Sequence, residues 1–346
     1  MSGVDFSMLS EHEGSFPTWV IDGEKGTGKT ETYVTMPYES GLAFSFDGKV
    51  HRILNQFPER KPHWAVFNAM LLNEVAGSRG PGLEDVGLTK AGYDTHDFMM
   101  AELRRRDPDP VVRAIGLKEM NRLMSEYGFL QQATGGKPIT MEAYALPSVD
   151  VVVFDGLREL STIEEMRMRY KHKLGPFENF ANRGLWKTRR LGMRDLVWAS
   201  RRAAKKAVIA TTYPMRIEIV KDGVLVETRT PPNWYDIWET ESDLWLRCER
   251  DDITKDGSSK FFTTIKSSKF KSFPQGKRYD VTDSSFAAKV RPESFYDLGV
   301  VEGPPIAPDL APLPPGSHVK GPDEMAASPS DAEDDVTAFM SGASGG

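Results

Sequence analysis

Five short apolar runs set the framework of the chain: residues 18–22 (TWVID), 41–46 (GLAFSF), 63–68, 149–155 (VDVVVFD) and 207–212 (AVIATT). In 149–155 the apolar character is nearly continuous rather than alternating, the pattern of a strand buried on both faces. Segments of helical character separate the runs. This order predicts an α/β fold with a mainly parallel sheet and helices on both faces.

Other patterns interrupt this alternation. Residues 71–146 read as a helical insertion: a Gly-rich loop, then helices near 96–106 and 110–127, with Pro110 placed to open the second. After 207–212 the texture changes. Runs 215–220 and 224–230 flank Lys221-Asp222-Gly223, and 243–251 and 260–268 flank Lys255-Asp256-Gly257. Both are hairpin signatures, expected as antiparallel additions to the sheet. The boundaries follow: an extension at 1–15, one domain over 16–300, and a Pro-rich tail at 301–346. The tail has too little apolar surface to offset its chain entropy and is expected to be disordered.

Composition narrows the class. Of 346 residues, 39% are hydrophobic and 27% charged, the balance of a globular chain. No run approaches the roughly 20 apolar residues of a membrane span, and the first residues lack a signal-peptide pattern. With the single Cys248 no disulfide framework or cysteine-rich zinc site can form, and the six histidines lack ligand spacing. The expected compartment is the cytoplasm. The net charge of −6 belongs to the tail: residues 304–346 carry seven acids and one base, and the rest is balanced. Acidic residues followed by Val336, Phe339 and Met340 suit either partner docking or a solubilising role.

The chemistry starts after the first run. Gly23, Glu24, Lys25, Gly26, Thr27, Gly28, Lys29 and Thr30 fit G-x-x-x-x-G-K-[ST] at every specified position. Glycines let backbone N–H groups turn in around phosphate oxygens, Lys29 adds charge at the β- and γ-phosphates, and Thr30 offers a hydroxyl to Mg²⁺. Asp155, ending a buried run, is the expected second metal residue. Hydrolysis of ATP also needs a group to orient water, and the candidates are Asp47 and Glu159. Thr211 or Thr212 is placed to sense the γ-phosphate.

Two basic stretches remain. Residues 185–206 hold eight bases and one acid on a predicted helix. They include Arg201 and Arg202, candidates for DNA contact, although a solvated face reads the same way. Residues 260–278 interleave six bases with Phe261, Phe262, Phe270 and Phe273. Lys266, Lys269 and Lys271 there suit nucleic-acid phosphates, with rings stacking on bases. Lys266 or Lys269 also suits a finger reaching a neighbouring subunit's nucleotide, and a plain amphipathic strand is the remaining alternative.

The order of these features resembles the RecA-like P-loop ATPases of bacterial viruses, especially the Sak-type single-strand annealing proteins, over about residues 15–285. The resemblance implies a RecA-like fold and an ATP- and Mg²⁺-dependent ATPase in the host cytoplasm. It would assemble as a homo-oligomeric ring or filament on single-stranded DNA in recombination, annealing or replication, with a single-stranded DNA-binding protein as a further partner. Lys29, Thr30 and Asp155 take the nucleotide and metal roles. The hairpin after 207–212 takes the place of a DNA-binding loop, and Lys266 and Lys269 fall in the region bridging subunits. Asp47 stands where the family usually carries a glutamate, and the 71–146 insertion is foreign to the pattern. Three other readings compete: a P-loop small-molecule kinase with Arg104, Arg105 and Arg106 on a lid, a non-catalytic nucleotide-dependent scaffold, and a DNA-packaging motor.

Overall fold

The computed structural model describes residues 17–46, 48–68, 84–179, 183–221, 224–229, 232, 237–251 and 258–290. Asp47, the 1–15 extension, the first part of the 71–146 stretch, the centres of both Lys-Asp-Gly turns and the 301–346 tail lie outside the described residues. The strands are β1 (Thr18–Gly23), β2 (Gly41–Ser45), β3 (Trp64–Asn68), β4 (Val149–Asp155), β5 (Ala204–Thr212), β6 (Ile217–Lys221), β7 (Val224–Arg229), β8 (Leu244–Arg250), β9 (Phe261–Ser268) and β10 (Arg278–Asp280). The helices are α1 (Lys29–Val34), α2 (Lys49–Leu54), α3 (Glu84–Arg104), α4 (Pro110–Glu126), α5 (Phe129–Thr134), α6 (Met141–Tyr144), α7 (Leu157–Lys171), α8 (Trp186–Ala203), α9 (Trp238–Glu241) and α10 (Phe286–Lys289).

Eight strands form one sheet in the order β3-β2-β4-β5-β1-β8-β9-β10. From β3 to β8 all neighbours run parallel, and β9 and β10 add antiparallel. The expected α/β class with a mainly parallel sheet and an antiparallel end is what the chain adopts. Alternate residues of β1 face opposite layers. Trp19 and Ile21 pack with Tyr33 and Val34 of α1 and with Val50 and Leu54 of α2. Val20 packs on the other side with Leu160 of α7, Leu196 of α8 and Met99 of α3. Burial of both faces accounts for the continuous apolar runs.

The first hairpin departs from expectation. β6 and β7 pair with each other as a separate two-stranded sheet rather than joining the large one. The sheet offers them no edge beside β5, which lies between β4 and β1, and β1 takes β8 on its other side. The second hairpin, β8 and β9, does extend the sheet.

Within the 71–146 stretch, α3 is part of the sheet's covering layer. Its Phe98 packs edge-on against Phe67 of β3, with ring centroids 5.5 Å apart. Asp109 caps α4 through the Val111 N–H (2.8 Å), and Pro110 takes the first helical turn, where its missing N–H costs nothing. α4 and α6 form a small core of their own with Met120, Tyr144 and Ala101 of α3.

α3 and α7 approach closely. A Cβ at Gly92 would lie 2.4 Å from the Met166 Cβ. Beside this contact, His96 and Glu164 are buried together, Nδ1 to Oε1 at 2.5 Å. Burial lowers the His96 pKa, against the pull of Glu164.

Two outcomes follow from this packing. Gly92→Ala should separate α3 from α7 and lower stability by about 1–3 kcal/mol, read by thermal melting. The unfolded chain protonates His96 near its ordinary pKa of 6.5, while the native protein resists until lower pH. The His96 contribution is therefore complete above that value and is lost as pH falls through the folded pKa. The fall in melting temperature from pH 7.5 to 5.5 should be steeper in wild type than in His96→Gln.

Candidate functional site

Parallel strands bring their C-terminal ends to one edge of the sheet. The register sets Asp22 beside Thr212, Thr211 beside Asp155, and Asp155 beside Ser45. All five are buried. β5 stands between the strand that feeds the glycine-rich loop and the strand that ends in Asp155.

The loop's geometry depends on its glycines. Gly26 (φ 78°) and Gly28 (φ 88°) are left-handed, which L side chains adopt at a cost. At Gly23 a Cβ would stand 2.3 Å from the Cys248 carbonyl oxygen and 2.6 Å from the Thr27 Oγ1. The loop therefore rests directly on the backbone of β8. Thr27 donates to the Glu24 carbonyl (2.8 Å), closing the turn.

Lys29 and Thr30 follow. The Lys29 ammonium donates to the carbonyls of Gly23 (2.6 Å) and Glu24 (3.0 Å) and lies 4.3 Å from the centre of the Tyr213 ring. Burial lowers its pKa, with Asp155 and Asp22 among the groups opposing that shift. Asp155 is held from two sides: Thr211 donates to Oδ1 at 2.6 Å, and Thr30 donates to Oδ2 at 3.4 Å. Glu159, in the first turn of α7, lines the same cleft, its Oε2 2.8 Å from where a Gly156 Cβ would be.

Asp22 braces the loop from below. Its carboxylate accepts from Arg247 (2.6 Å to Nη2) and from the Trp245 indole (2.7 Å), both on β8. Burial pushes the Asp22 pKa up, and Arg247 and Trp245 oppose the shift. Completing these pairs matters because a buried carboxylate without partners costs several kcal/mol.

The loop opens into a cleft of about 700 Å³, within the usual ligand-site range. Lys25, Lys29, Lys49 and Arg52 give it positive charge. It extends between Ile53 of α2, Gln56 just after that helix, and the segment before α10, where Val281, Thr282 and Ser284 line it. The Ser284 Oγ is buried there and has no partner among the described residues. Apolar walls with a few polar atoms suit a heterocyclic base.

Mg²⁺ fits the donor set. It prefers oxygen ligands, often one or two protein groups completed by phosphate and water. The Thr30 hydroxyl and the Asp155 carboxylate converge in this way, and among the described residues no larger cluster of His, Cys, Asp and Glu suggests another metal centre.

The structure thus gathers Gly23, Glu24, Lys25, Gly26, Thr27, Gly28, Lys29, Thr30, Asp155, Glu159 and Thr211 around one edge. Thr212 stands at the same edge beside Asp22, and the basic candidates lie elsewhere. Lys269 pairs with Asp243 (2.8 Å), and Arg201 with Glu241 (2.7 Å) and the Thr18 hydroxyl (3.0 Å), at the opposite edge of the sheet. Arg202 pairs with Asp107 (2.5 Å). Lys266 sits 3.7 Å from Glu249, and Lys271 is exposed. Phe273 is core, so its ring does not stand open for a base, and Phe262 is half-buried with Arg278 over its ring (3.5 Å).

The lid expected of Arg104, Arg105 and Arg106 is not formed at the cleft. They sit at the end of α3 near the start of β4, where Ser148 donates to the Arg106 carbonyl. Arg105 and Arg106 bind Glu102. Sequence reasoning missed the Asp22–Arg247 brace, the Tyr213 contact and the groove lined by Ile53 and Val281. A charged residue ending an otherwise apolar first strand was the available signal for the brace.

No protein-family model and no curated protein matches the chain. Among solved structures, a KaiC-like protein from the hyperthermophilic archaeon Pyrococcus horikoshii is similar at 13% identity and a TM-score of 0.33, covering 76% of this chain and 84% of that one.

Proposed function

We propose that this protein binds and hydrolyses a purine nucleoside triphosphate, ATP by preference, with Mg²⁺, and couples this to single-stranded DNA as a RecA-like homo-oligomer. The observation that carries the nucleotide part is the convergence of Lys29, Thr30 and Thr211-held Asp155 at one sheet edge. Loop amides and Lys29 bind the phosphates, and the groove beside α1 takes the base. Thr30 and Asp155 would hold Mg²⁺, which would supply charge neutralisation to the phosphates when bound. Thr211 fixes the Asp155 carboxylate, and Glu159 stands where it can orient water. A reach into DNA work rests on the resemblance of the chain's feature order and on its basic, aromatic surface. The kinase reading loses its lid arginines to the far edge.

Steady-state hydrolysis with and without single-stranded DNA tests this reading. Lys29→Ala and Asp155→Ala should each lower kcat at least about 100-fold. DNA should raise the wild-type rate and leave both variants inactive. Nucleotide binding without turnover would favour a scaffold, and turnover indifferent to DNA would remove the DNA part.

The two water-positioning candidates separate by mutation. If Glu159 orients water, Glu159→Gln should lower kcat about 100-fold or more at little change in nucleotide affinity, measured by turnover and by titration calorimetry. A Glu159→Gln enzyme of wild-type rate, beside an inactive Asp47→Asn, would give the role to Asp47.

A further inference from the structure

α8 carries six bases, Lys187, Arg189, Arg190, Arg194, Arg201 and Arg202, against one acid, Asp195. Its inner side is set by Gly192, Met193, Leu196, Val197, Ser200 and Ala203, all buried. A Cβ at Gly192 would overlap Glu164, so this side is pressed onto α7. With about 3.6 residues per turn, Lys187, Leu191, Arg194, Trp198 and Arg202 fall on one line along the opposite side. Trp198 is 51% exposed and Leu191 46% exposed.

Trp198 thus presents a half-exposed indole within this basic line. Here it is also held in place. The Arg194 guanidinium lies 4.7 Å from the Trp198 ring centre, one helical turn away. At the end of the line Arg202 is anchored to Asp107. The result is a fixed aromatic platform set within cationic side chains.

We infer that this outward face of α8 is a contact track for single-stranded nucleic acid, with an unpaired base stacking on Trp198 and phosphates met by Lys187 and Arg194. This rests on the DNA-directed reading above and assigns it a surface. Charge complementarity favours a polyanion. The exposed ring selects a single strand among polyanions, because unpaired bases expose faces that a duplex keeps stacked. The contrast with 260–278 is direct: there Lys266 and Lys269 face Glu249 and Asp243, and Phe273 is core.

The test uses the full chain and fluorescence anisotropy of a labelled oligothymidine, with an abasic oligomer of equal length as comparison. Wild type should bind the thymidine oligomer more tightly than the abasic one. Trp198→Ala should weaken thymidine binding about tenfold or more and erase that preference, and Trp198→Phe should restore most of it. Lys187→Ala should weaken both oligomers alike and reduce the slope of log affinity against log salt by about one. Melting curves confirm folding, and Lys187, being exposed, keeps the test open if Trp198→Ala does not fold. Wild-type binding by both variants would overturn the α8 assignment while leaving the DNA reading intact. No binding of either oligomer by wild type would end the DNA reading and the assignment with it. Preference for an acidic peptide over both oligomers would overturn the assignment in favour of a protein partner.

Discussion

Burial of the central strands on both faces is the constraint from which the rest follows. Strands β2, β4, β5 and β1 have no solvent face, so polar side chains along them would lack water. Their interior positions are apolar, and polarity gathers at the rim. Parallel pairing then brings the rim residues together, because every strand points the same way. Asp22, Ser45, Asp155, Thr211 and Thr212 meet for this reason.

Each rim group then requires a partner. Asp155 takes hydroxyls from Thr211 of the neighbouring strand and from Thr30 in the first turn of α1. Asp22 takes Arg247 and Trp245. The loop is thereby supported on one side by β5 and on the other by β8, whose backbone touches Gly23. The loop is braced beneath and open to the cleft above, the arrangement that positions charged groups without reorganisation.

Legibility in the sequence followed the range of the interactions. The glycine-rich motif was readable as a pattern because eight consecutive residues carry it, and the place of Asp155 at a strand end because the burial of the run before it shows in its composition. The large sheet was readable for the same reason. Charge runs were less informative. The bases at 201, 202, 266 and 269 all looked available, yet each faces an acid distant in the chain. The first hairpin was visible as a local pattern, but its separation from the large sheet depends on β8 occupying the edge of β1. The 71–146 stretch showed helices without showing that α3 would cover β3.

The brace beneath the loop also sets an order of events. Asp22 and Arg247 are 225 residues apart, and both strands that flank β1 come late in the chain. During synthesis β1 is made well before either of the strands that pair with it. Until β5 and β8 emerge, both of its edges stay unpaired, a condition that slows folding and invites aggregation. A nascent chain holding the whole phosphate loop therefore still lacks the strands that give the loop its shape.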